Sequence, residues 1–419
     1  MTPKIQNSIL VIVSLLFALY TGEIILSFTP KQPISEERAQ KAQQAGIEFD
    51  SRTKFEVVED LRAKGLNAFP GIHLWLVTKT LGPDAALYPL SGAANQLTVF
   101  GNESGKYITY VSDQYGFNNP AIRWQNPPTI ALVGDSFAQG AYVPNENNIA
   151  GILNKNKLPT LNLGIVGAGP LIQLGIIKEY LTALKPEITL WFFFEGNDLL
   201  DLQRESPFAI LKKYLRPDFR QDLPSRQQEL NRFQANYLEK QLDLEREYHQ
   251  GMLARQKRKV SIATTKQNSY KSAPSILSLR YIRHLVSDVL QSTKTDRKLK
   301  HYDIPLFKEI LSTAKETTEK WGGKFYFVYL PAWERYGLKD KPDLLHYRKQ
   351  VLDTAYSLNL PCIDIHNRFK QLKDPTEMFP FQLTGHYTIE GYQIVSETIM
   401  NFLSDFEKRD KESIPYSCY

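Results

Sequence analysis

A short apolar run that ends at Gly-Asp-Ser constrains this chain more than any other feature. Thr129-Ile130-Ala131-Leu132-Val133 is rich in β-branched residues and lacks polar alternation, the pattern of a strand buried on both faces in a parallel sheet. Gly134 permits a tight turn, and Asp135 and Ser136 both favour helix starts. That strand–turn–helix places the Ser136 hydroxyl at the carboxyl end of a strand, where open α/β sheets bind ligands. It also places it at the positive end of a helix, which favours an anionic intermediate. A serine that merely caps the helix is the alternative.

Downstream, apolar strands alternate with amphipathic segments. Short strands are expected at 161–163 and 362–365 and longer ones at 187–194 and 324–330. Helices are expected over 171–184, 305–321, 343–358 and 389–403. This alternation implies βαβ units and a doubly wound, three-layer α/β sandwich on a parallel sheet. Between 199 and 300 the pattern is interrupted by what reads as a helical insertion. Within it, Ser225-Arg226-Gln227-Gln228 resembles a capping box, and Leu230, Phe233, Tyr237, Leu244 and Tyr248 give an apolar stripe. The basic run at 255–259 reads as a solvated helix end or as a contact for anionic lipid or polymer.

Ahead of the first core strand, residues 8–28 are almost wholly apolar, with Glu23 the single charge. About 21 residues span roughly 31 Å as a helix, enough to cross a hydrocarbon core. No A-x-A cleavage site follows, so an uncleaved anchor is expected over residues 1–30. Lys4 on its amino side leaves the bulk of the chain outside the cytoplasm. Residues 32–66 read as a charged helical stalk. A hairpin is expected from 97–100 and 106–110 around Asn102-Glu103-Ser104-Gly105, within a segment 31–128 that precedes the core domain 129–405 and the tail 406–419. The net charge of +6 is mild for 419 residues and demands no nucleic-acid partner. Cys362 and Cys418 are the only cysteines; without ligand spacing they predict neither a zinc site nor a disulfide framework.

Three further positions belong beside Ser136. Gly167 follows one predicted strand and Asn197 another, both at the carboxyl rim, and each can donate to a developing oxyanion. His386, just before the terminal helix, can return to that rim as general base. Singly, each has a bland reading: a loop glycine, a helix cap, a structural histidine. Ala138 stands where the Gly-x-Ser-x-Gly elbow has its second glycine, so this is not that motif. Together, in order, Gly-Asp-Ser, Asn-x-x-x-x-Gly, Gly-Asn-Asp and a late histidine resemble the SGNH (GDSL) hydrolase superfamily, with Ser136, Gly167, Asn197 and His386 matching its four blocks.

The resemblance implies a flavodoxin-like αβα fold and ester chemistry without metal or cofactor. It implies Ser136 as nucleophile, His386 as base, and an oxyanion hole from the amides of Ser136 and Gly167 with Asn197. One departure stands out. The family usually carries Asp three residues before the histidine, and here that position is Leu383, followed by Thr384. A Ser136–His386 dyad is therefore expected, with Asp364, Asp374 and Glu377 as the nearest competitors for the acid's place. The anchor, hairpin and Gly-Phe-Asn-Asn approach look similar to bacterial envelope members of the superfamily. The expected function is a membrane-anchored serine esterase acting outside the cytoplasm on O-acyl, above all O-acetyl, groups of carbohydrate or another ester. A polysaccharide O-acetyltransferase using the same serine, and a non-catalytic envelope scaffold favoured by the missing Asp, are the alternatives.

Overall fold

A computed structural model of the chain describes residues 33–125, 128–265, 302–339 and 343–409. Contacts divide the chain into two units. Of the smaller, 1–37 and 244–301, the described parts 34–37 and 244–265 are helical. The larger, 38–243 and 302–419, holds both sheets.

Its centre is a five-stranded sheet, all parallel: β4 (Ile130–Val133), β5 (Thr160–Asn162), β6 (Ile188–Phe194), β7 (Lys324–Leu330) and β8 (Cys362–Asp364), in spatial order β5-β4-β6-β7-β8. Period-2 alternation divides the strand residues between two cores. Ala131, Val133, Trp191, Phe193, Phe325 and Phe327 face helices Pro170–Ile176, Ile304–Glu319 and Arg348–Ser357. Ile130, Leu132, Leu190, Phe192, Tyr326 and Val328 face helices Ile149–Lys155 and Ile389–Arg409. Neither side of these strands meets water, which is why they read as continuous apolar runs. The result is the expected α/β architecture with its parallel sheet.

Helices Ile34–Gln44 and Lys54–Ala63 lead into β1 (Ala68–Pro70), which pairs parallel with β2 (Leu97–Gly101); β2 and β3 (Ile108–Val111) form the hairpin. Thr53 and Glu56 close a capping box at the second helix. Val57, Val58, Phe69 and Val99 are buried in the same core as Trp191 and Phe193, so apolar burial joins 38–128 to the parallel sheet. Leu199, Leu202, Leu211, Tyr214, Leu223, Leu230, Tyr237 and Leu242 are core residues as well, and the larger unit continues to Asp243. Leu244 and Tyr248 are exposed. Ser225 caps nothing; its hydroxyl donates to the Asp222 carbonyl. The basic run 255–259 lies in helix Gln227–Thr265.

Cys362 is disulfide-bonded, against the sequence expectation; the other cysteine, Cys418, lies outside the described residues. Among the described residues no helix is long and apolar enough to cross a membrane, and the run 8–28 lies outside them.

Candidate active site

The turn after β4 is built by packing. A Cβ on Gly134 would stand 2.7 Å from the Ala138 Cβ and 2.9 Å from the Phe192 Cβ, so glycine alone lets the chain turn against β6. Asp135 caps the four-residue helix Ser136–Gln139, its Oδ1 accepting from the Phe137 amide at 2.9 Å. Gly140 closes it at φ 74°. The cap is thus Asp135, which leaves Ser136 in the first turn with its hydroxyl free for other work.

That hydroxyl lies 2.8 Å from His386 Nε2. On the other side of the ring, Nδ1 is 3.2 Å from Glu103 Oε1, and Glu103 Oε2 accepts the His386 backbone N–H at 2.7 Å. The imidazole is held between Phe137 and Tyr142, with centroids 4.5 Å and 4.6 Å away. Serine, histidine and carboxylate form one continuous chain of hydrogen bonds, in which a carboxylate on Nδ1 fixes the tautomer that leaves Nε2 free to accept.

The carboxylate corrects the expected dyad. Leu383 is indeed buried and uncharged, but Glu103, in the turn after β2, reaches the ring instead. None of the named competitors does. Asp364 pairs with Arg348 and caps His366, Asp374 caps Thr376, and Glu377 is exposed. Burial alone would raise the Glu103 carboxyl. The charge and hydrogen bonds of His386, with Arg38 nearby, outweigh it and hold Glu103 below the usual carboxylate range. With Glu103 in place, the feature that favoured an inert scaffold is gone.

The two donor loops sit on strands flanking β4. The loop after β5 is tied to the serine turn by the Ile165 amide on Gly134 O at 3.1 Å and the Val166 amide on Gln139 Oε1 at 2.9 Å. Gly167 has φ 75°, a region glycine enters without strain. Glu205 accepts the amides of Gly169 at 2.6 Å and Leu171 at 2.9 Å, anchoring the loop's far end. Asn197 occupies the N-cap position of helix Asp198–Glu205, yet its side chain makes no capping bond, which removes the bland reading. Its Oδ1 is buried without a hydrogen-bond partner. Burial pushes the Asp135 carboxyl up to about 6, partly offset by the bond from the Phe137 amide and by the charge of His386. Among the described residues no group of three or more His, Cys, Asp or Glu is placed to hold a metal ion.

The structure brings the expected Ser136 and His386 together and adds Glu103, Arg38 and the aromatic pair, which sequence reasoning missed. Glu103 sits in Asn102-Glu103-Ser104-Gly105, where a charged residue is what any exposed turn shows, so no local signal marks it.

No family model and no curated protein matches the chain. Among solved structures it is similar to a lipase/acylhydrolase from Enterococcus faecalis, at 12% identity and TM-score 0.35, over 69% of this chain and 98% of that one. It is similar to a G-D-S-L family protein from Desulfitobacterium hafniense, at 11% identity and TM-score 0.33, over 65% and 97%. It is also similar to an acetylxylan esterase from Geobacillus stearothermophilus, at 11% identity and TM-score 0.35, over 66% and 94%.

Proposed function

We propose that this chain is a serine ester hydrolase of the SGNH type that removes O-acyl groups, foremost O-acetyl groups, from carbohydrate or a related ester. The observation that carries the reading is the unbroken hydrogen-bond chain from Ser136 Oγ through His386 to Glu103. In this reaction His386 Nε2 takes the Ser136 proton as Oγ attacks the ester carbonyl, and Glu103 stabilises the imidazolium. The tetrahedral oxyanion is met by the amides of Ser136 and Gly167 and by the Asn197 side chain. The imidazolium then protonates the leaving alkoxide. Water, deprotonated by His386, attacks the acyl-enzyme, and its collapse returns the proton to Ser136.

The reading places the catalytic unit outside the cytoplasm, held by residues 8–28 in a membrane. The apolar length of that run supports this. The resemblance drawn from the four sequence blocks supports the acyl-ester substrate class.

Labelling the purified full-length chain with a fluorophosphonate, followed by peptide mapping, tests the reading. An adduct on Ser136, lost in His386→Ala, together with acetate release from an acetylated glycan, is the expected result. Folded protein that takes no label refutes it, and acetyl transfer to an added sugar in preference to water turns the assignment to a transferase.

A further inference from the structure

Arg38 is an expensive residue to bury. It is only 8% exposed, its Nε has no partner, and a guanidinium withdrawn from water is tolerated only when it is paired. It has two partners on different chain segments. Nη2 donates to the Thr384 carbonyl at 2.7 Å and pairs with Glu103 Oε1 at 3.3 Å. The first partner lies two residues before His386; the second is the oxygen that faces the His386 ring. Gly385 lies between them, where a Cβ would stand 2.7 Å from Arg38 Nη2 and 2.8 Å from Glu103 Oε2.

The neighbourhood repeats the pattern. One turn along the same helix, Lys41 Nζ donates to the Phe381 carbonyl at 3.0 Å. Phe381 and Gln382 both adopt positive φ, 56° and 57°, a conformation that is unfavourable for residues with a side chain and needs outside support. The turn bearing Glu103 is fastened to the same segment: the Asp50 amide donates to Gly105 O, and Asn102 Nδ2 donates to Asp50 O, each at 2.8 Å.

We propose that Arg38 is a positioning residue for the Ser136–His386–Glu103 chain, holding a carboxylate from one segment and the histidine loop from another at catalytic spacing. This inference rests on the esterase reading. Arg38 touches no reacting atom. Its charge opposes the imidazolium that forms during catalysis, so its benefit is geometric. Both contacts are made by one nitrogen, Nη2, and lysine, whose ammonium ends one bond nearer the backbone, does not reach the carboxylate and the carbonyl together.

The test is a double-mutant cycle on the full-length chain, using a chromogenic acetate ester and the fluorophosphonate labelling rate, with folding followed by circular dichroism. Arg38→Met is expected to lower kcat about 100-fold, the scale of a misplaced catalytic group, with KM changed less than about twofold. In a Glu103→Gln background the same change should cost less than about threefold, since the acid it positions is already lost. A merely structural role gives equal losses in both backgrounds, and that additivity overturns the proposal. If Arg38→Met does not fold, Arg38→Lys decides: a folded protein with native kcat overturns the proposal, and a loss of about tenfold upholds it. Ser136→Ala separates the two claims. Activity surviving in that variant defeats the esterase reading itself; an inert Ser136→Ala beside additive Arg38 losses defeats only this inference.

Discussion

Glu103→Gln is the sharpest perturbation of this site, because it changes charge with almost no change of shape. In the native arrangement Oε1 receives the ring N–H of His386 at 3.2 Å and Oε2 the backbone N–H at 2.7 Å. At 3.2 Å, a full negative charge opposite an imidazolium is worth about 5 kcal/mol at an effective dielectric of about 20. At 1.36 kcal/mol per decade, losing it costs roughly 1,000- to 10,000-fold in kcat. A second effect has the same sign. The glutamine amide that faces Nδ1 with its NH2 forces the proton onto Nε2, the nitrogen that must accept from Ser136. The assay is steady-state hydrolysis of a chromogenic acetate ester by the full-length protein, with melting temperature and circular dichroism as folding controls. The expected outcome is kcat reduced by about three to four orders of magnitude and KM little changed. A folded Glu103→Gln protein that keeps more than about a tenth of native kcat refutes the reasoning. It would mean that the ring needs only hydrogen-bond geometry and that Ser136 and His386 act as a dyad.

Asn197→Ala should lower kcat by about 100- to 1,000-fold, the scale of one lost oxyanion donor, as read from acetate-ester turnover; a loss below threefold would remove Asn197 from the hole. Asp201→Asn should stabilise the protein at neutral pH. Burial pushes the Asp201 carboxyl from 3.8 up to about 6, with Arg204 offsetting only part. Its ionised form is therefore disfavoured in the fold, and stability is lost as pH rises between those values and stays lost above them. The substitution should recover up to about 3 kcal/mol at pH 7.5 and nothing near pH 3.5, in thermal melts across that range. Gly140→Ala should destabilise strongly, by about 3 kcal/mol or more, in chemical denaturation. Gly140 has φ 74°, and the added methyl would lie 2.1 Å from the Asn148 Cβ.

Much of this protein was determined locally by its sequence. The continuous apolar runs around Val133, rich in β-branched residues, and around Phe192, rich in aromatic ones, admit no half-exposed strand, so they dictate a sheet covered on both faces. A parallel sheet in turn dictates that the turns at Ser136, Gly167 and Asn197 share one rim. The histidine was legible for the same reason, since it immediately precedes a helix whose apolar face, Tyr392, Val395 and Ile399, must pack on that sheet. What periodicity does not encode is long-range partnership between polar side chains. Glu103 lies 283 positions from His386, and Arg38 lies 346 from Thr384. In sequence each looks like a solvated charge in a turn or on an amphipathic helix. Only the docking of 38–128 onto the sheet, driven by Val57, Val58, Phe69 and Val99, removes them from water, and a buried charge then has to find its opposite. The sequence therefore determined where the nucleophile and its base stand, while the tertiary structure decided which carboxylate completes them.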